Sequence, residues 1–277
     1  MPQSKFCRRL HDVSVGFTPS IGFKAVQAPP PPALLLAVVL PSIEVDLATA
    51  AIQAGAEALL VRVSVQDDVA KEMNRLRDVL IAAGDRPCGI VPVGISEHEI
   101  ENIRQLQTMG FDFVVVSSHD SPKILSLEGL GKVIVVDHTI DTELVRTINE
   151  LDVDAVEVSL ARPENFGKHF SIRDVMHYKL LRMLLRKPIV VRGERSIRPE
   201  DISILRDIGV ECLVIDGTVT GGDSKAIKDA TLTYHEAISK LGPRVRKKRG
   251  EMAPVLPQVK PGMGSSVAEP DDEPDDL

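Results

Sequence analysis

Gly209-Val210-Glu211 leads into the apolar stretch Cys212-Leu213-Val214-Ile215, which stops at Asp216-Gly217. The same design occurs three more times: Gly55-Ala56-Glu57 before ALLVRV (58–63), Gly110-Phe111-Asp112 before FVVVSS (113–118), and Asp152-Val153-Asp154 before AVEVSL (155–160). Each copy is a helix-ending residue, a small or apolar residue, an acid and an apolar run. Between the copies lie four further apolar runs: ALLLAVVL (33–40), CGIVPVG (88–94), KVIVVDH (132–138) and PIVVRG (188–193). Parallel strands buried on both faces need continuous Val/Ile/Leu runs of this kind. Eight of them alternating with helix-like stretches predict an α/β protein, a single parallel (β/α)8 TIM barrel built from two-strand quarters. An open doubly wound sheet is the rival arrangement.

The intervening stretches supply the helices. Val45, Leu47, Ala48, Ala51 and Ile52 recur at helical spacing and stop at Gly55. Helices follow over 68–83 and 96–109, the latter opened by a Ser96/Glu99 capping box. Only one or two turns fit after Ser121-Pro122; longer helices are predicted over 141–150 and 172–185. The seventh opens at Arg198-Pro199-Glu200-Asp201, and the eighth runs from Ser224 to Leu241. The predicted organisation is an N-terminal extension over 1–32, the barrel over 33–242, and a tail over 243–277. The prolines at 29–32 suit a stiff link, and GFKAV from Gly22 is a candidate short strand or plug for the closed end of the barrel. The tail turns basic (Arg244, Arg246, Lys247, Lys248, Arg249) and then acidic (Glu269, Asp271–Asp276) with too little apolar content to fold alone, so disorder is expected.

Composition narrows the function. The chain has 277 residues, 43% hydrophobic, and no apolar stretch of the ~20 residues that span a bilayer. No apolar leader segment follows Lys5, Arg8 and Arg9, so a soluble cytoplasmic protein without membrane partners is expected. Cys7, Cys88 and Cys212 are scattered and lack zinc or disulfide spacing, which fits a reducing compartment. A net charge of −7 and 3% aromatics, with no Trp, give no footprint for nucleic acid. A small anionic metabolite is the expected partner, with homo-oligomerisation left open.

A barrel of this kind places its chemistry at the carboxyl ends of its strands. The charged or polar strand-end residues here include Arg62, Ser64, Ser117, His119, Asp137, His138, Glu157, Ser159, Arg162, Arg192, Glu194, Asp216 and Thr218. Glu157 is the sharpest, because an unpaired carboxylate inside AVEVSL would cost several kcal/mol. It must pair, with Arg62 or Arg192 across the barrel, or act as an acid/base in the site. Glu157, Glu194 and Asp137 are the catalytic candidates. Asp137, His138 and His119 have metal-ligand chemistry, but neighbours on a strand point to opposite faces, and no metal site is expected. The last two strands of such barrels form a phosphate grip from loop amides and a short helix N-terminus. Its pieces here are Arg192, Gly193, Gly217, Thr218, Gly221 and Gly222. Asp216 and Glu194 lie beside them, so an anion would need Arg192, Arg195 or Arg198 to neutralise those acids.

The second half resembles indole-3-glycerol-phosphate synthase and related phosphate-binding barrels. VVDH followed by TIDTELVRTINELDVDAVEV is similar to that family's fifth strand, helix and sixth strand. VRGERSIRPEDISILRDIGVECLVIDGTVTG is similar to its seventh and eighth units, covering about 110 residues in all. The resemblance implies that Glu194 matches the family's seventh-strand glutamate and that Gly217-Thr218 falls at its phosphate loop. Val136 stands where the family has its fifth-strand glutamate, and Ser196 where its seventh-strand motif ends in glycine. LLLAVVLPS and CGIVPVGIS carry neither its first-strand glutamate nor its third-strand lysine. The implied function is therefore a lyase or isomerase acting on a small phosphorylated or carboxylated metabolite, without a cofactor, rather than the family's own reaction. The alternatives are a catalytically silent barrel with a role in assembly, and an FMN-dependent oxidoreductase, since nitronate monooxygenases end similarly.

Overall fold

The computed structural model describes residues 4–16, 30–65, 72–92, 95–160, 168–193 and 197–244. Eight parallel strands close into one barrel in sequence order. They are β1 (Leu35–Leu40), β2 (Ala58–Val63), β3 (Cys88–Pro92), β4 (Phe113–Val116), β5 (Gly131–Asp137), β6 (Ala155–Ser159), β7 (Ile189–Arg192) and β8 (Cys212–Ile215). The closing pair, with Leu35 against Cys212 and Val38 against Ile215, excludes the open sheet. All eight predicted runs are strands.

Helices alternate with the strands as α2 (Val45–Gln53), α3 (Met73–Ala83), α4 (Ile100–Met109), α5 (Thr142–Thr147), α6 (Ile172–Leu184), α7 (Ile202–Ile208), α8 (Gly217–Thr220) and α9 (Ser224–Ser239). The thin fourth unit is a 3-10 turn over Pro122–Ser126. Two apolar clusters follow from strand alternation. The outward residues of each strand pack on the helices, while Leu35, Ala37, Val39, Leu60, Phe113, Val115, Val133, Val190 and Val214 fill the barrel interior.

The fourfold pattern has a structural explanation. The glycines at 55, 110 and 209 have φ of 101°, 123° and 106°, a turn that ends the preceding helix without the strain a Cβ would bring. The acid two residues on then binds the strand before it. The amides of Glu57, Asp112, Asp154 and Glu211 donate to the carbonyls of Leu36, Cys88, Lys132 and Ile189, at 2.8, 2.8, 2.8 and 2.9 Å. Two of the carboxylates complete the clip: Asp154 accepts from the Lys132 amide at 2.9 Å and Glu211 from the Ile189 amide at 2.6 Å. Burial pushes the Glu211 carboxyl above its usual range, and Arg182 and Arg244 offset this.

The N-terminal extension contains an element the sequence reading lacks. α1 (Lys5–Val15) closes the bottom of the barrel, with Phe6, Cys7, Leu10 and Val13 joining the interior cluster. Phe6 stacks on Phe113 at 4.2 Å between ring centroids. The Phe113 ring in turn lies where a Cβ on residue 89 would be, so Gly89 makes room for it. Asp112 holds the start of the helix, accepting from the Ser4 hydroxyl (2.7 Å) and from the amides of Lys5 and Phe6 (2.8 Å each). The second of the four acids thus serves as the anchor of the plug. GFKAV from Gly22 lies outside the described residues, as do the tail from residue 245 and Arg162. Arg244 is tied to the body through the Val210 carbonyl at 2.6 Å.

Candidate active site at the barrel mouth

The interior positions change character one layer above the apolar filling. Strand alternation that sends Val190 and Val214 inward also sends Arg192 and Asp216 inward, and the register of β6 and β7 sets Glu157 beside Val190. The four mouth charges form a chain. Glu157, 1% exposed, accepts from Arg192 through Oε1, at 2.7 Å from Nε and 2.5 Å from a terminal nitrogen. A second terminal nitrogen of Arg192 lies 3.7 Å from Asp216, and Arg62 lies 3.7 Å from the same Asp216 oxygen. Of the two pairings the sequence allows for Glu157, the structure takes Arg192; Arg62 goes to Asp216.

Among the described residues these four charges balance, yet one carboxylate oxygen is unmatched. Both Arg192 contacts fall on Oε1, and Oε2 of Glu157 is buried with no hydrogen-bond partner. A buried acceptor left this way costs about 1–3 kcal/mol. Asp216 is better satisfied: its Oδ1 accepts the Thr218 amide at 3.0 Å and hydroxyl at 2.5 Å, capping α8.

That cap bears on the phosphate grip. The structure brings Gly193, Gly217, Thr218, Gly221 and Gly222 to the ends of β7 and β8 as the sequence suggests. Their amides mainly serve the protein itself. Gly193 donates to Val214, Thr218 to Asp216, Val219 and Thr220 to the Asp216 carbonyl, and Gly221 to Gly217.

A pocket of about 560 Å³ opens beside the chain over β5, β6 and β7, within the range of small-molecule sites. Its polar lining includes Asp137, His138, Lys168, His169, Arg173 and Arg192. Asp137 accepts from the amide (2.8 Å) and hydroxyl (2.6 Å) of Thr139, which holds its carboxyl below the usual range. It is thereby kept ionised, a weak base suited to accept hydrogen bonds or pair with a cation. Lys168, His169 and Arg173 are functional candidates that the strand-end search misses, because they lie in the approach to α6 and on its first turn. Their signal in the sequence is the basic spacing Lys168-His169, Arg173 and His177. Glu194 and Arg195 lie outside the described residues, and among the described ones no group of three His, Cys, Asp or Glu forms a metal site. No described helix is long and apolar enough to cross a membrane.

No protein-family model matches the chain, and no curated protein does. Solved structures share its fold. Tryptophan synthase from Mycobacterium tuberculosis is 11% identical with a TM-score of 0.59, over 74% of this chain and 92% of that one. Thiamine phosphate pyrophosphorylase from Pyrococcus furiosus is 13% identical with a TM-score of 0.58, over 76% and 97%. Phosphoribosyl anthranilate isomerase from Thermus thermophilus is 13% identical with a TM-score of 0.55, over 76% and 100%. At these identities the likeness is one of fold.

Proposed function

We propose that the protein is a barrel enzyme, a lyase or isomerase, that binds a small phosphorylated or carboxylated metabolite at the mouth over β5 to β8. The observation that carries this reading is the buried Glu157–Arg192 pair, with its unmatched Oε2, beside a pocket where, among the described residues, the cations Lys168, Arg173 and Arg192 outnumber the acids Asp137 and Asp174. Two of the similar solved structures are named for phosphorylated compounds, thiamine phosphate and phosphoribosyl anthranilate, which adds support.

The chemistry follows from the pairing. An anion reaching Arg192 competes with Glu157 for the same guanidinium. A carboxylate that loses its cation in a low-dielectric site gains affinity for a proton. Glu157 then takes a proton from a carbon next to a carbonyl and returns it at a neighbouring atom, a net isomerisation, or gives it to a leaving group, a net elimination. Asp137, the third catalytic candidate, is kept ionised by Thr139 and serves as a charged hydrogen-bond acceptor that orients the substrate. Glu194 remains the other acid/base candidate from the sequence. No cofactor is needed for this chemistry; a purified protein that is yellow would replace the reading with the flavin alternative.

The silent barrel is the second reading, favoured by the internal balance of the four mouth charges and by the loop amides being engaged. Thermal melts with and without millimolar phosphate separate the two. The enzyme reading expects a phosphate-induced rise in melting temperature that is lost in Arg192→Met and reduced in Arg173→Ala. No rise in the parent protein would favour the silent barrel.

A further inference from the structure

The outer surface of α6 differs from that of every other described helix. Ile172, Met176, Leu180 and Met183 are 81%, 65%, 39% and 70% exposed. Each of α1, α2, α3, α5, α7 and α9 exposes one large apolar side chain: Val15, Val45, Ile81, Leu144, Ile204 and Leu232 respectively. The α6 residues recur at spacings of four, four and three, so they form one stripe along the helix. The opposite face, with Tyr178 and Leu181, is already buried against the barrel, so core packing does not account for the stripe. An outer barrel helix has no reason of its own to carry four apolar residues into water.

We infer that this stripe is a homodimer interface, in which α6 packs antiparallel against α6 of a second copy of the chain. The geometry favours a second copy because the stripe is self-complementary. A two-fold axis passing between His177 and Tyr178 sets Ile172 against the second copy's Met183, Met176 against its Lys179, and Leu180, at the edge of the stripe beside the mouth pocket, against its half-buried Val175. The exposed Lys179 lies along the stripe, where its aliphatic stem covers the facing methionine while the amine reaches water. Large apolar groups at both ends and a long flexible side chain near the middle match one another under this rotation. The area is also adequate. The four side chains expose on the order of 500 Å² of mostly apolar surface, most of the ~800 Å² that each partner contributes to a standard interface. Arg182, the next cation along the helix, folds back to Glu211 at 3.2 Å and to the Leu185 carbonyl at 2.9 Å, and so leaves the stripe clear. The inference does not depend on what the mouth binds.

Sedimentation of the full chain from low micromolar to several hundred micromolar tests it. The parent chain is expected to sediment at twice its mass, and Met176→Glu/Met183→Glu to weaken association by more than ~tenfold with an unchanged circular-dichroism spectrum. Ile204→Glu, on α7, is expected to leave the dimer intact. Ile172→Cys/Met183→Cys is expected to form an oxidised cross-link between copies, because the native Cys7, Cys88 and Cys212 are all buried. A parent chain that is monomeric throughout, a dimer indifferent to the double glutamate, or a monomer that instead binds anionic vesicles through α6 would each overturn the proposal.

Discussion

The two ends of this barrel are built from the same strands by the same alternation, and they differ in what occupies the inward positions. At the bottom, Phe6, Leu10 and Val13 of α1 fill the interior beneath Phe113 and Val133, and the carboxylate of Asp112 is spent on fixing that helix. At the mouth, the inward positions carry Glu157, Arg192 and Asp216, which pair with one another and leave one carboxylate oxygen unmatched. Burying apolar surface stabilises the fold by about 1.5–3 kcal/mol per large side chain. Burying charge does not, because desolvation offsets most of the Coulomb gain even in a well-made pair. The difference teaches that stability and chemistry are separated along the strand axis. The closed end holds the protein together and offsets the cost of the charges buried at the open end.

The largest expected effect lies at the bottom. Phe6→Ala/Leu10→Ala removes the filling of the closed end and should cost on the order of 5–10 kcal/mol, enough to unfold a barrel of ordinary stability. A urea midpoint close to that of the parent would mean that α1 is an accessory and not the base of the core. Next is Arg192→Met, which leaves the Glu157 charge buried without its partner and should lower stability by about 3–5 kcal/mol. Combining it with Glu157→Gln should recover much of that loss. If the single change proves neutral by denaturant titration, the mouth is wetter than the bottom by more than the geometry indicates, and the contrast fails at that end.

A smaller loss, about 1.5–3 kcal/mol, is expected for Asp112→Ala, from hydrogen bonds to a charged acceptor at the start of α1. Faster amide exchange confined to residues 5–15 would locate the effect. Smallest is the titration of Asp137. Its folded pKa is depressed by Thr139, so its contribution to stability is present above the ordinary value of 3.8 and is lost as the pH falls through the lower folded value. A carboxyl carbon titration should place its midpoint below 3.8, and Thr139→Val should bring it back toward that value. A midpoint that ignores the substitution would assign the depression to the backbone amide of residue 139 and to His138 and His119 instead.

Much of the fold was legible because its signals are local and periodic. Continuous runs such as KVIVVDH permit little but a doubly buried strand, and a glycine followed two residues later by an acid marks where β2, β4 and β8 begin, with Asp152 in the glycine's place before β6. α1 is not legible because Phe6, Leu10 and Val13 lie among Arg8, Arg9, His11 and Asp12, and about two turns of apolar spacing look like surface until there is a cavity to fill. At the mouth, the presence of charge was predictable from AVEVSL and PIVVRG. Lys168, His169 and Arg173 were not singled out, since nothing in a loop sequence tells which way it folds over a barrel.

The sequence by itself determined the number of strands, their order of burial and the quarter-by-quarter repeat, because hydrophobic periodicity and helix-ending glycines act within a few residues of chain. Only the tertiary structure decided that Glu157 takes Arg192, that Arg192 and Arg62 share Asp216, and that Asp112 anchors a plug. Those choices join residues 35, 24, 154 and 106–108 positions apart. Pairing at such separations is set by barrel closure and strand register, which no local pattern encodes.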